Sequence, residues 1–424
     1  MKTVRVLTCT TLFALTAATT SVSAIELTPK EQLGKSIFFD MHLSINQNQS
    51  CASCHDPEWG WTGPASAINA AGSVYEGSIP GRFGDRKPPT SAYATPSPIL
   101  FNDKGTFTGG NFWDGRATGE NLGNPAADQA LGPFLNPVEQ ALRDSACVVH
   151  RVCNPLIPGD YPVAFEDVWG AGACDIDWPV DIADACAVEG GPFDDEYFDP
   201  ADRVKSDKAY GNIGLSIAAY EDSMEVNAFS SKYDQTFGGK VKLSKQEQRG
   251  FALFRGKGQC HRCHISNGQQ ALFTDYTFDN LGVPKNPENP VYDIDPDFVD
   301  LGLGGFLETR EDYADLAAEN YGKQKVPTLR NVDLRPDAGS VKAYAHNGYF
   351  KTLEGIVNFY NTRDVKPECP GLYTEAQALA ADCWPAPEVA KNVNSDELGD
   401  LGLTDEEEEA IVAFLKTLSD GFAP

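Results

Sequence analysis

Ser50-Cys51-Ala52-Ser53-Cys54-His55-Asp56 and Gln259-Cys260-His261-Arg262-Cys263-His264-Ile265 carry one pattern, Cys-x-x-Cys-His, at two places in a single chain. Every position of that pattern has a chemical use. The two thiols add across the vinyl groups of a haem, and the adjacent histidine is thereby placed to bind its iron. One copy can be a redox dithiol. Two copies point to two covalently attached haems c, one on Cys51, Cys54 and His55, the other on Cys260, Cys263 and His264.

Working outward, each motif follows a similar run. Glu31-Gln32-Leu33-Gly34 leads to Ile37-Phe38, and Glu247-Gln248-Arg249-Gly250 leads to Leu253-Phe254. Thr28 with Glu31, and Ser244 with Glu247, read as capping boxes, in which hydroxyl and carboxylate reciprocally satisfy free amides at a helix start. The repeated unit, a capped helix followed by a haem motif, predicts a mostly α-helical fold of two cytochrome c-like domains. A third capping box, Thr404 with Glu407, opens a helix with Ile411, Leu415 and Leu418 on one face, suited to closing the second domain. Ile213, Ile217 and Tyr220 share that period and are expected to begin it. The expected boundaries are 1–24, 25–207 and 208–424.

The first of these is a signal peptide: Lys2 and Arg5, an apolar run, then Val22-Ser23-Ala24 before the cleavage point. Export to the periplasm follows. No later run approaches the roughly eighteen apolar residues of a membrane span. Losing Lys2 and Arg5 takes the net charge from −27 to −29, which argues against nucleic acid and anionic lipid as partners. Of eleven cysteines, Cys9 leaves with the signal and four belong to the motifs, so six remain. An even number in an exported chain predicts disulfides, most simply between sequence neighbours: 147 with 153, 174 with 186, 369 with 383. A metal site is the rival reading, weakened by the lack of Cys-x-x-Cys spacing. The stretch from 147 to 200, rich in Gly, Pro and Asp, is expected to be a stapled, loop-rich insertion.

The second axial ligand decides whether a haem carries electrons or does chemistry. With His55 and His264 proximal and His261 inside its own motif loop, the donors left are His42, His150, His346, Met41 and Met224. Between Asp56 and Trp113 there is neither His nor Met. The first haem is therefore expected to have an open distal face, as peroxide binding requires.

The residues now quoted, with Phe112-Trp113-Asp114-Gly115-Arg116, Gln129-Ala130-Leu131-Gly132-Pro133, Asn136-Pro137-Val138-Glu139, Val326-Pro327-Thr328-Leu329-Arg330-Asn331 and His346-Asn347-Gly348, resemble the bacterial di-haem cytochrome c peroxidases and their MauG relatives. The resemblance spans nearly the whole mature chain in the family's order. It implies that Glu139 is the acid that moves a proton between the peroxide oxygens, that Gln129 and Pro133 line the same distal face, and that Trp113 lies between the haems as a relay.

Two departures sharpen the reading, and two more limit what the resemblance implies. Typical peroxidases of the family carry a capping histidine between the first motif and the Trp-Asp-Gly-Arg run, which this sequence lacks. Fourteen residues after His346, where they have a methionine ligand, stands Tyr360. That is the MauG-like arrangement, and a phenolate favours oxidised iron; Met224 is the alternative ligand. The family's interdomain calcium takes a side chain from an Asn whose place is filled here by Lys87. A cation there argues against calcium, although backbone carbonyls near Val341 and Ala343 could still bind one. Gly258 replaces a tryptophan through which MauG passes oxidising equivalents outward, leaving Trp384 and Trp178 as exits by residue type alone.

The resulting expectation is an enzyme that reduces hydrogen peroxide at the first haem and shares the oxidising equivalents with the second through Trp113, oxidising a partner protein in the MauG manner. The alternatives are a peroxidase fed by a small cytochrome c or cupredoxin, and a non-catalytic di-haem electron carrier.

Overall fold

In the computed structural model, residues 26–154, 161–239 and 241–423 are described. The signal peptide read from the sequence lies outside them. Helices dominate; the only named strands among the described residues form two short antiparallel pairs, Phe101–Asp103 with Thr106–Thr108 and Phe278–Asp279 with Gln324–Lys325. None of the described helices is long and apolar enough to cross a membrane.

Two large hydrophobic cores divide the chain, and each is built on a helix crossing. Helix Pro29–Phe38 starts at its capping box: the Glu31 carboxylate accepts from the Thr28 amide at 2.6 Å, and the Thr28 hydroxyl from the Glu31 amide at 3.3 Å. It crosses helix Pro200–Glu221 at Gly34, where a Cβ would stand 1.9 Å from the Ser216 carbonyl oxygen. Helix Lys245–Arg255, capped in the same way by Ser244 and Glu247, crosses Asp405–Leu415 at Gly250, where a Cβ would stand 1.8 Å from the Ala410 oxygen. Only glycine permits such backbone approach. Beside each crossing sits an aromatic trio with edge-on contacts: Phe38, Trp61 and Tyr220 at 5.7–5.9 Å, and Phe254, Phe273 and Phe414 at 5.3–6.2 Å. The sequence repeat is thus a structural repeat.

Helix Pro200–Glu221 corrects the expected boundary. It runs unbroken through 207 and 208, and Ile213, Ile217 and Tyr220 pack in the first core with Leu33 and Ile37. It closes the first half instead of opening the second. An apolar stripe shows that a helix is half-buried, not against which core.

The insertion is also more ordered than its composition suggests. Helices Ser145–Cys153, Tyr161–Trp169 and Ile182–Ala185 occupy it, and Val148, Val149, Val152 and Phe165 are fully buried in the first core. Its disulfides join Cys147 to Cys186 and Cys153 to Cys174, not sequence neighbours; Cys369 to Cys383 is as expected. Cys147 and Cys153 share one helix, and six residues of helical rise separate them by about 9 Å, beyond the reach of one disulfide. Each therefore bonds to the returning chain.

Candidate functional site

Cys51 and Cys54 lie on and just after the short 3-10 turn Cys51–Ser53, with His55 next. Both thiols are free, like Cys260 and Cys263, whereas the other six described cysteines are in disulfides. The His55 Nδ1–H donates to the Trp61 carbonyl at 3.2 Å, and burial pushes the imidazole down to about 4. A neutral ring with Nδ1 so engaged keeps Nε2 as its lone-pair donor. Trp61 holds a left-handed backbone, φ 61°, to aim that carbonyl.

Cys51, Cys54 and His55 line a cleft, and Trp113, Gln129, Pro133 and Glu139 line the same cleft. Helix Pro125–Leu135 supplies Gln129 and, one turn on, Pro133; the turn after it supplies Glu139, whose amide donates to the Asn136 carbonyl at 2.9 Å. The Asn136 side-chain amide donates to the Glu139 carboxylate at 2.8 Å. Burial raises the Glu139 carboxyl, against the opposing pull of Asn136 and Arg116. Among the described lining residues His55 is the only histidine and there is no methionine. Sequence reasoning missed Glu221, which ends helix Pro200–Glu221, lines this cleft and is pushed up to about 8 by burial, opposed by Ser91. An acid at a helix end gave no signal.

The second cleft, about 1700 Å³, is lined by Cys260, Cys263 and His264 and is more apolar, with Ile356, Val357 and Ile411 in its wall. The His264 Nδ1–H donates to the Phe273 carbonyl at 2.8 Å, and Phe273, φ 53°, repeats the left-handed turn of Trp61. Tyr360, from helix Leu353–Thr362, faces this cleft, its phenol raised by burial and by the Cys260 and Cys263 thiols. The rival donors are elsewhere. Met224 and Met41 are exposed, and neither lines a cleft. His42 is held by Asp40 at 2.8 Å, and His150 stands edge-on to Trp178 at 5.2 Å. His346 does line the cleft, but its Nε2 stands 3.8 Å from the carboxylates of both Asp300 and Glu388.

Trp113 lines both clefts. Its indole N–H donates to the Lys87 carbonyl at 2.8 Å, its own carbonyl accepts from the Lys325 amide at 2.7 Å, and its ring lies 6.5 Å from that of His346. The Lys87 amide in turn donates to the His346 carbonyl at 2.7 Å. Arg86 spans the junction, bonding Asp114 at 2.5 Å and Asp300 at 2.6 and 2.7 Å, and its charge holds both carboxyls below the usual range. Of the two outlying tryptophans, Trp178 packs against the first core beside Phe198. Trp384 is 5.1 Å from Phe359, which is 6.3 Å from Tyr360.

The residues fit a porphyrin in each cleft. Paired free thiols beside a histidine with one engaged nitrogen recur in both. In the second, His346 Nε2, Glu388 Oε2 and both polar atoms of the Gln324 amide are buried without hydrogen-bond partners, as the rim of a polar-edged ligand would be. Cys263, Asp279 and Glu397 come together in a way that resembles a metal site, but Cys263 belongs to the motif.

A family model described as di-haem cytochrome c peroxidase matches residues 28–242. The chain is 33% identical to the methylamine utilization protein MauG of Paracoccus denitrificans over 92% of this chain and 88% of that one. It is 26% identical to the cytochrome c551 peroxidase of Nitrosomonas europaea over 77% and 71% of the two chains. The crystal structure of the diheme peroxidase BthA from Burkholderia thailandensis superposes with a TM-score of 0.71 at 28% identity, covering 94% of this chain and 87% of that one.

Proposed function

The chain belongs to the di-haem cytochrome c peroxidase family, and on that premise we propose that it is an exported peroxidase that reduces hydrogen peroxide in the first cleft and draws the two electrons from side chains of a partner protein. The residues that would hold its two haems are Cys51, Cys54 and His55 in the first cleft and Cys260, Cys263, His264 and Tyr360 in the second. The family supports peroxide reduction. The observation that carries the finer reading is Tyr360: its phenol lines the second cleft in the place where a methionine would serve an ordinary electron carrier, whereas His346 Nε2 stands 3.8 Å from the Asp300 and Glu388 carboxylates.

A haem bound in each cleft supplies iron that takes oxidising equivalents from peroxide and stores them. The chain's own residues do the rest. The Glu139 carboxylate accepts the proton of one peroxide oxygen and returns it to the other, so that the departing oxygen leaves as water. Asn136 holds that carboxylate in place. Gln129 offers an amide to orient the peroxide, and Pro133, with no N–H, adds an apolar wall. Among the described lining residues there is no second His or Met, so a haem held by His55 would meet neither of these strong ligands from the chain. Trp113 joins the clefts as the aromatic bridge. The Tyr360 oxygen, a hard anionic donor when ionised, favours the oxidised state of the second site. Phe359 and Trp384 extend the aromatic contacts beyond Tyr360 within the second core, where both are buried, and so give no route to the surface by themselves. Two cytochrome c-like domains follow, the first ending after Glu221.

Peroxide added to the fully oxidised holo-protein tests this reading. A long-lived species two electrons more oxidised, followed by optical and Mössbauer spectroscopy, is expected. Turnover only after partial reduction, with a small cytochrome c as donor, would make the protein a peroxide-detoxifying peroxidase. Two six-coordinate haems inert to peroxide would make it an electron carrier.

A further inference from the structure

We propose that the junction between the two halves is held by a built-in cation, the Lys342 ammonium, in place of a dissociable metal ion. The family resemblance implies a calcium here, with a side-chain ligand where Lys87 stands and backbone ligands near Val341 and Ala343. The residues present do not fit one. Calcium needs six to eight oxygens. The Val341 carbonyl already accepts from the Asn69 side-chain amide at 3.1 Å, and Lys87 brings an ammonium instead of an oxygen. The Lys87 Nζ donates to the Thr62 hydroxyl at 2.8 Å and the Pro88 carbonyl at 3.0 Å.

The cage around Lys342 is built from both halves. Its Nζ donates to the carbonyls of Trp59 at 2.8 Å, from the first half, and of Asn331 at 2.7 Å and Leu334 at 3.0 Å, from the second. Its residue is 4% exposed. Burial and the neighbouring Lys87 charge push this amine well below the usual lysine range, while Asp333 opposes them. The geometry nevertheless selects the charged form. Three carbonyl oxygens are acceptors only, and a neutral amine has two N–H groups and a lone pair that would face the third. Gly60, with φ +69°, makes the room: a Cβ there would stand 2.9 Å from Nζ and 2.8 Å from the Asn331 oxygen. A dication entering this region would meet the buried Lys342 ammonium, with the Lys87 amine beside it, and like charges in a poorly solvated site repel strongly.

The consequence reaches the bridge between the clefts, because the Lys87 peptide holds both the Trp113 indole and the His346 carbonyl. A cation tethered by its own side chain cannot be removed by chelation. Purified holo-protein is therefore expected to contain no stoichiometric calcium by elemental analysis. Excess EDTA should leave its haem spectra and melting temperature unchanged. One calcium per chain, or an EDTA-induced fall in melting temperature reversed by calcium, would overturn the proposal. Lys342→Met, which keeps the length and apolar stem but loses the charge, should lower the melting temperature by several degrees and perturb the spectrum of at least one haem. An unchanged variant would equally refute it, and the wild-type measurement decides should the variant fail to fold.

Discussion

In the first half Gly34 lies on Ser216 and the Trp61 carbonyl holds His55; in the second Gly250 lies on Ala410 and the Phe273 carbonyl holds His264. Helix crossing, aromatic trio and left-handed turn recur, so both halves present two thiols and an imidazole in the same way. What they turn toward the cavity differs. The first cleft receives Gln129, Pro133, Glu139 and Glu221; the second receives the Tyr360 phenol among Ile356, Val357 and Ile411, with its carboxylates, Asp300 and Glu388 among them, supplied by other segments. The lesson is a division of labour within one scaffold. Attachment is set by the repeated part, and chemistry by the segments that are not repeated: the turn after helix Pro125–Leu135 in one half and helix Leu353–Thr362 in the other.

The largest effect should come from removing the proton carrier of the first cleft. Glu139→Gln is expected to lower the rate of the peroxide reaction by about 10²–10⁴-fold, read by stopped-flow absorption. In the wild type the acid limb should lie above the usual carboxyl range, since burial raises Glu139 and only its ionised form accepts a proton. A limb unchanged in Glu139→Gln would assign proton transfer to another group. In the second cleft, Tyr360→Phe should change the low-spin haem signal in electron paramagnetic resonance and shorten the life of the peroxide-oxidised species. Spectra identical to wild type would remove Tyr360 from the coordination and blur the contrast between the halves.

The scaffold itself predicts equal effects in both halves. Gly34→Ala and Gly250→Ala each force a Cβ onto a carbonyl and should cost at least ~1–3 kcal/mol in denaturant unfolding. A large loss at one and none at the other would show that the crossings are not equivalent. Glu221→Gln probes an asymmetry. Its carboxyl binds protons more tightly folded, at about 8, than unfolded, so its share of stability is present at low pH and lost as pH rises through about 8. The variant should flatten that part of the melting-temperature profile. Smallest are the caps: Thr28→Ala and Ser244→Ala should each cost about 1 kcal/mol.

Much of this was legible in the sequence because the repeat announces itself twice and because the residues flanking Glu139 lie within one continuous stretch of chain. Tyr360 was legible by its distance from His346. The failures share one physical cause, that the sequence shows local periodicity and not what meets it. Ile213, Ile217 and Tyr220 declare a half-buried helix without naming its core. Cys147 and Cys153 are near in sequence yet about 9 Å apart along their helix axis. Lys342 and Glu221 belong to no motif in the sequence, and only the fold reveals the carbonyl cage around one and the buried cleft beside the other.

The hydrogen bond from Trp113 to the Lys87 carbonyl governs how an electron vacancy on that indole would behave. An indole that loses an electron becomes a far stronger acid, and beside a carboxylate or water it would shed its N–H proton and trap the vacancy as a neutral radical. A peptide carbonyl accepts the hydrogen bond but is too weak a base to take the proton. The proton stays and the loss remains reversible, as a relay between the clefts would require.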